Sequence, residues 1–154
     1  MKINEIGKVK QTESGVYLEL SPEYQEGLIG LSDFSHLYVL YWFHHLDIPE
    51  LRRTTVGKPY VHGPEKLGTF ATRGPVRPNP IALSAAKIIK IEENLVYLEY
   101  LDAENDSPIL DIKPYTASSD VIENFEGPAW CSHWPQSYER SGEFDWSAEF
   151  NFTE

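Results

Sequence analysis

The sequence predicts a mainly β fold, a barrel or sandwich of short strands with few short helices, and three observations predict it. Most apolar segments alternate with period two, the pattern of strands half-buried against a core. Eleven prolines are spread along the chain and divide it into short pieces. Helical signal is confined to one stretch, so no helices alternate with the strands as a parallel sheet would require.

Val16-Tyr17-Leu18-Glu19-Leu20 is the first alternating strand. Ser21-Pro22-Glu23-Tyr24-Gln25-Glu26-Gly27-Leu28 follows, with a cap residue, a proline at the first position and an acid in the first turn; it predicts one short helix stopped at Gly27. Leu37-Tyr38-Val39-Leu40-Tyr41-Trp42-Phe43 is apolar on both faces and reads as a central buried strand. His44-His45 come next; on a strand they point to opposite faces, which excludes a shared metal ion. Residues 47–66 form a long irregular connection, a length associated with function or mobility. Residues 88–91 and 95–101 flank Glu92-Glu93-Asn94 as a hairpin, and residues 109–112 make a further strand closed by Pro114. With no repeat or low-complexity linker, residues 1–154 read as one domain with an acidic, aromatic tail from about residue 126.

A chain of 154 residues, 41% of them hydrophobic, can bury a core of its own. Cys131 is the single cysteine, so no intramolecular disulfide forms; no signal peptide stands at Met1-Lys2-Ile3-Asn4-Glu5 and no run is long enough to span a membrane. These features predict a cytoplasmic protein without membrane contact. The net charge of −11 argues against a generic nucleic-acid coat. Its distribution is uneven: from residue 52 to 90 eight Lys and Arg face Glu65 alone, while residues 1–51 carry −5 and residues 91–154 carry −13. A basic middle in an acidic chain suits either a local anionic ligand or a solvated basic face.

No Gly-x-Gly-x-x-Gly opens a helix, no Gly-x-x-x-x-Gly-Lys loop occurs and no cysteine pair is available for zinc. The segment Arg73-Gly74-Pro75-Val76-Arg77-Pro78-Asn79-Pro80 is different in kind. Three prolines restrict its backbone, and a rigid loop presenting Arg73, Arg77 and Asn79 suits donors preorganised against an anion. Arg52 and Arg53, in the long connection, are further candidates for that contact. The plainer alternative is that these guanidinium groups pair locally and stiffen a corner.

Phe70-Ala71-Thr72-Arg73 and Arg77-Pro78-Asn79-Pro80-Ile81-Ala82-Leu83-Ser84 resemble the signature of the TsaA-like, or tRNA methyltransferase O, family. Phe34-Ser35-His36-Leu37-Tyr38-Val39-Leu40-Tyr41-Trp42-Phe43-His44 resembles its aromatic strand. Leu101-Asp102, then Ser107-Pro108-Ile109-Leu110-Asp111-Ile112-Lys113-Pro114-Tyr115, resembles its Leu-Asp and Asp-Ile-Lys-Pro-Tyr block. The three blocks keep their order over about residues 5–120.

The resemblance implies a homodimeric β-barrel methyltransferase that uses S-adenosylmethionine to methylate N6 of threonylcarbamoyladenosine beside the tRNA anticodon. By motif it puts cofactor contacts on His44, His45, Arg73, Leu83, Asn105, Asp106, Ser107 and Pro108. Arg73 suits the methionine carboxylate, and carbonyls or an aromatic face such as that of Trp42 suit the sulfonium. Asp102, Asp111 or His44 could take the amine proton; no metal is implied. Two departures stand out. The Pro-Arg-Gln loop after the first strand is missing, since Ile6-Gly7-Lys8-Val9-Lys10 runs almost directly into Gly15-Val16-Tyr17. The family's Asp-Gly-Thr-Pro is Asn105-Asp106-Ser107-Pro108 here, and Asp for Gly predicts a less strained φ at that turn. Where many bacterial members carry a larger C-terminal domain, this sequence has its acidic tail. These departures leave open an enzyme of the same fold acting on a small molecule, or a non-catalytic cofactor-binding module.

Overall fold

The computed structural model describes residues 2–151. Its strands are β1 (Gly7–Thr12), β2 (Gly15–Leu20), β3 (His36–Trp42), β4 (Thr55–Gly57), β5 (Lys66–Gly68), β6 (Ile81–Glu92), β7 (Leu95–Leu98) and β8 (Pro108–Pro114). Six of them close into an antiparallel barrel in the order β1-β2-β7-β6-β3-β8, with β8 returning to β1 at Gly7↔Ile109 and Lys8↔Pro108. The fold is therefore the barrel rather than the sandwich, and closure leaves it no free sheet edge. β4 and β5 pair as a separate ribbon within the long connection.

β1 and β2 form a tight hairpin whose register runs from Gly7↔Leu20 to Thr12↔Gly15, so only Glu13 and Ser14 lie between the strands. Gly15 takes φ 130°, which a side chain would disfavour. Gly7 is required for a different reason: a Cβ there would come within 2.7 Å of Leu20 Cα, where the two backbones approach.

β3 occupies the central position expected of it, between β6 and β8. Leu37, Val39 and Tyr41 point into the barrel, and Tyr38, Leu40 and Trp42 are half-buried on the outside. The inward residues meet Val9, Leu18, Val96, Leu98, Leu101 and Ile109 in one aliphatic core. Each such side chain contributes about 1.5–3 kcal/mol through burial. The hairpin expected around Glu92-Glu93-Asn94 is present, with Glu93 at φ 54° in its turn. β6 begins at Ile81, seven positions earlier than its apolar pattern announces, because Ala82, Ser84, Ala85 and Ala86 carry little hydrophobic signal. The predicted helix forms in place but as a 3-10 helix, Pro22–Leu28, with only Leu28 buried.

Past the barrel, the described residues form three single-turn α-helices, α1 (Ala117–Asp120), α2 (Tyr138–Ser141) and α3 (Trp146–Glu149), with a 3-10 turn at Ala129–Cys131 between the first two. The tail returns to the long connection through Val61 N–H to Glu149 O (2.9 Å) and Asn151 N–H to Pro59 O (2.9 Å). Tyr60, Trp130, Trp134, Trp146 and Phe150 pack ring against ring at this junction, with centroids 5.0–5.8 Å apart. No helix among the described residues is long and apolar enough to cross a membrane.

Candidate functional site

One end of the barrel gathers most of the predicted residues. The C-terminal end of β3, the N-terminal ends of β6 and β8, and the loop from Glu99 to Ser107 meet there. That loop is fastened across β1 by Asp106 N–H to Val9 O (2.8 Å) and Val9 N–H to Ser107 O (2.9 Å). Gln11 Nε2 adds bonds to the carbonyls of Leu101 and Ala103, both 3.0 Å. From inside the barrel, the Tyr41 hydroxyl donates to the Asp102 carbonyl and lies 3.3 Å from Ser84 Oγ. Burial raises the Tyr41 pKa, which keeps the phenol protonated as a donor.

The turn Asn105-Asp106-Ser107-Pro108 corrects one expectation. Asp106 does not relax to an ordinary backbone: it holds φ 64°, the left-handed region that Asp and Asn tolerate best after glycine. Its carboxylate accepts from Lys10 Nζ at 2.6 Å and from Asn105 Nδ2 at 2.9 Å. The Lys10 hydrogen bond holds the Asp106 carboxyl below the usual range, and the same bond raises the Lys10 ammonium. Asn105 Oδ1 accepts from the backbone of Gln11 at 2.9 Å, so the turn is anchored on both sides.

The histidine pair corrects another. β3 ends at Trp42 and His44–Leu46 forms a 3-10 turn, so the two imidazoles do not face opposite ways. Their centroids lie 3.8 Å apart, tilted by 40°. His44 Nδ1 sits 3.4 Å from Ser107 Oγ, which joins the pair to the Asn105–Pro108 turn through a residue only 2% exposed.

Arg73 and Leu83 form a second cluster, on the outer face of β6. Arg73 donates to the Leu83 carbonyl at 2.9 Å, and the Leu83 side chain is 45% exposed. Leu83 pairs with Leu40, which pairs in turn with Asp111 on β8. The Asp111 carboxylate is engaged by Lys113 Nζ at 2.7 Å and by the Ile112 N–H at 2.9 Å. Asp102 is exposed on the rim loop, close enough to raise the pKa of both Tyr41 and Tyr100 behind their larger burial effects.

Arg77 turns inward: one guanidinium nitrogen donates to Thr69 O at 2.9 Å and Thr72 O at 2.5 Å, and its Nε is buried. It stiffens the corner, as the plainer sequence alternative has it. Asn79 is exposed at the loop's end. Arg52 pairs with Asp47 at 2.6 Å, donates to Pro78 O at 3.0 Å and lies 5.8 Å over the Trp42 ring. Hydrogen bonds from Trp42 and Arg52 together hold Asp47 below the usual carboxylate range. The ring that the sequence offers to a sulfonium thus already carries a cation. Arg53 reaches the Glu50 carbonyl at 2.6 Å rather than a carboxylate. Between the Phe70–Arg73 segment and the tail lies a surface cavity of about 420 Å³, walled by Tyr60, Phe70, Trp130 and Trp134.

Sequence reasoning missed a third cluster, His62, His133 and Glu149, because its members lie far apart in the chain and have no ligand spacing to reveal them.

Fold and site define a small β-barrel protein with a polar rim, outside the Rossmann class. Residues 6–121 match the family described as tRNA-methyltransferase O N-terminal domain, and the chain belongs to that family. A probable S-adenosyl-L-methionine-binding protein from Pyrococcus horikoshii is 41% identical over 129 residues, covering 81% of this chain and 90% of that protein. A tRNA (adenine(37)-N6)-methyltransferase from Rattus norvegicus is 42% identical over 105 residues, covering 66% of this chain and 23% of the relative. The crystal structure of TrmO from Pseudomonas aeruginosa superposes with a TM-score of 0.64 at 26% identity, covering 82% of this chain and 60% of the other. The chain thus spans about three fifths of the solved structure and under a quarter of the mammalian relative.

Proposed function

We propose that this chain binds S-adenosylmethionine beside Arg73 and Leu83 on the outer face of β6 and methylates N6 of adenine 37 in tRNA, in its threonylcarbamoylated form. The observation that carries the reading is the Arg73–Leu83 contact. A guanidinium held by one bond keeps further donors for a carboxylate, and an exposed leucine beside it offers apolar surface to an adenine. The residues therefore fit a ligand that has both groups. By the motif resemblance His44, His45 and the Asn105–Pro108 turn at the rim supply further contacts, and the Asp106 carboxylate, steadied by Lys10, suits ligand hydroxyl or ammonium groups.

When bound, the cofactor supplies an electrophilic methyl group. The chain's part is to hold the reactants together, the largest available source of rate for a bimolecular transfer. Asp102, exposed on the rim, is positioned to take the proton that the amine gives up, whereas Asp111 is already held by Lys113. The aromatic cavity beside Arg73 suits an unpaired base stacked on its walls.

Calorimetry with S-adenosylmethionine tests the binding half: wild-type protein binds, and Arg73→Ala weakens binding by about tenfold or more. Transfer of labelled methyl to tRNA from cells lacking the endogenous enzyme, followed by nucleoside analysis, tests the substrate half. Cofactor binding without methylated threonylcarbamoyladenosine would refute the substrate, and no binding at all would refute the whole reading.

A further inference from the structure

We propose that His62, His133 and Glu149 form a binding site for a late first-row divalent cation, Zn²⁺ being the natural occupant, which clips the C-terminal tail to the β4–β5 connection. One ligand atom from each of the three residues lies within 4.8 Å of the other two. Two imidazoles and one carboxylate are a donor set suited to zinc and its neighbours rather than to calcium or magnesium.

The second observation is the state of Glu149. Its residue is only 3% exposed, its Oε2 meets His133 Nε2 at 2.8 Å, and its Oε1 is buried without a hydrogen-bond partner. The indole Nε1–H of Trp134 favours the charged carboxylate too, yet it falls short of hydrogen-bond geometry and is itself buried without a partner. A buried carboxylate with half its acceptor capacity unused is costly, and a cation drawn to it from the solvent side removes that cost. His62 and His133 are both exposed, so an ion has an open approach. Their rings stand 5.1 Å apart at 84°, edge to face around the carboxylate.

The backbone preorganises the arrangement. Val61 N–H bonds to Glu149 O and Asn151 N–H to Pro59 O, so His62 and Glu149 sit beside a short antiparallel junction with the Tyr60↔Phe150 bridge within it. His133 follows the 3-10 turn Ala129–Cys131 and is fixed by the Trp134 N–H bond to Cys131 O at 3.0 Å. Three protein ligands leave a tetrahedral ion one position for water. None of the cofactor-contact residues at the rim or on β6 belongs to this cluster, although the tail that the ion would clip also walls the aromatic cavity beside Arg73.

The test uses the full chain, stripped with chelator and dialysed, and the metal alone as probe. Zn²⁺ is titrated by calorimetry, and Co²⁺ by its visible absorption. The expected result is one ion per chain, a higher thermal midpoint with Zn²⁺, and affinity lowered about tenfold or more by His62→Ala and by Glu149→Gln. His62→Ala is the decisive variant, since it removes an exposed side chain whose loss does not endanger folding. Absence of saturable binding by the wild type overturns the proposal. So does wild-type affinity in both variants, or loss of the cobalt spectrum in His44→Ala instead, which would put the ion at the barrel rim.

Discussion

The barrel and the C-terminal tail are built on different principles. In the barrel, closed ladders satisfy the backbone groups of six strands and an aliphatic core fills the interior. In the tail, the helices are single turns, too short to be stable alone, and rings take over the work of the ladder. Among the rings of that junction Tyr60 is the buried one, and Trp130, Trp134 and Phe150 all meet it. The difference teaches where cooperativity resides. A change in the barrel should be felt by the whole molecule, and a change in the tail should be felt by the tail.

The largest effect tests the barrel side. Leu37, with none of its surface exposed, lies on the central strand. Leu37→Ala is expected to cost about 2–5 kcal/mol of global stability, read from urea unfolding followed by far-UV circular dichroism. Trp134→Ala is expected to cost less, about 1–2 kcal/mol, because the ring is half-buried and its edge contacts with Tyr60, Trp130 and Trp146 are the main loss. Its signature is local: faster hydrogen exchange and proteolysis over residues 129–151, with barrel amides unchanged. If Trp134→Ala instead lowers protection across β3 and β6, the two regions form one cooperative unit.

Legibility in the sequence divides along the same line. β3 is readable because Leu37 to Phe43 is an unbroken apolar and aromatic run, and the 92–94 turn because strand patterns flank it. The early half of β6 is hidden by alanines, and the β4–β5 ribbon by its length of three residues a strand. The rim residues are named by motif, but their geometry is not. The stacking of His44 on His45 depends on where β3 stops, and the inward turn of Arg77 depends on carbonyls that no side-chain pattern reveals. The His62, His133 and Glu149 cluster exists only through the tail's return to Tyr60, a tertiary event with no local signal.

A smaller effect separates the regions by pH. Burial opposes ionisation of Glu149, but the His133 hydrogen bond, the nearby Trp134 indole N–H and the charge of His133 and His62 outweigh it and hold the carboxyl below its ordinary value. A carboxyl lower in the folded than in the unfolded state stabilises above the ordinary glutamate range, and that contribution disappears as pH falls through the folded value. Three of the four tryptophans lie in the tail, so fluorescence reports its release. The expected curve is flat from neutral pH down to the ordinary glutamate range and changes below it, while far-UV circular dichroism of the barrel follows later. Glu149→Gln should flatten the fluorescence change.

The smallest effect concerns Asp106, where the barrel departs from the economy of its other turns. Its left-handed φ carries a strain that glycine would not, and its carboxylate gains in exchange a partly exposed pair with Lys10. Salt screens the pair but leaves the backbone strain untouched. Asp106→Gly removes both and should change the unfolding midpoint little at low salt, then become the more stable form as salt is raised. Asp106→Ala removes the pair and keeps the strain, so it should be destabilised at low salt, with the deficit shrinking at high salt. The difference between the two variants should stay constant with salt, because it reports backbone conformation alone. If Asp106→Gly instead stays less stable than the wild type at high salt, the carboxylate does more at this turn than its screened pair with Lys10, and its bond from Asn105 is the next contributor to test.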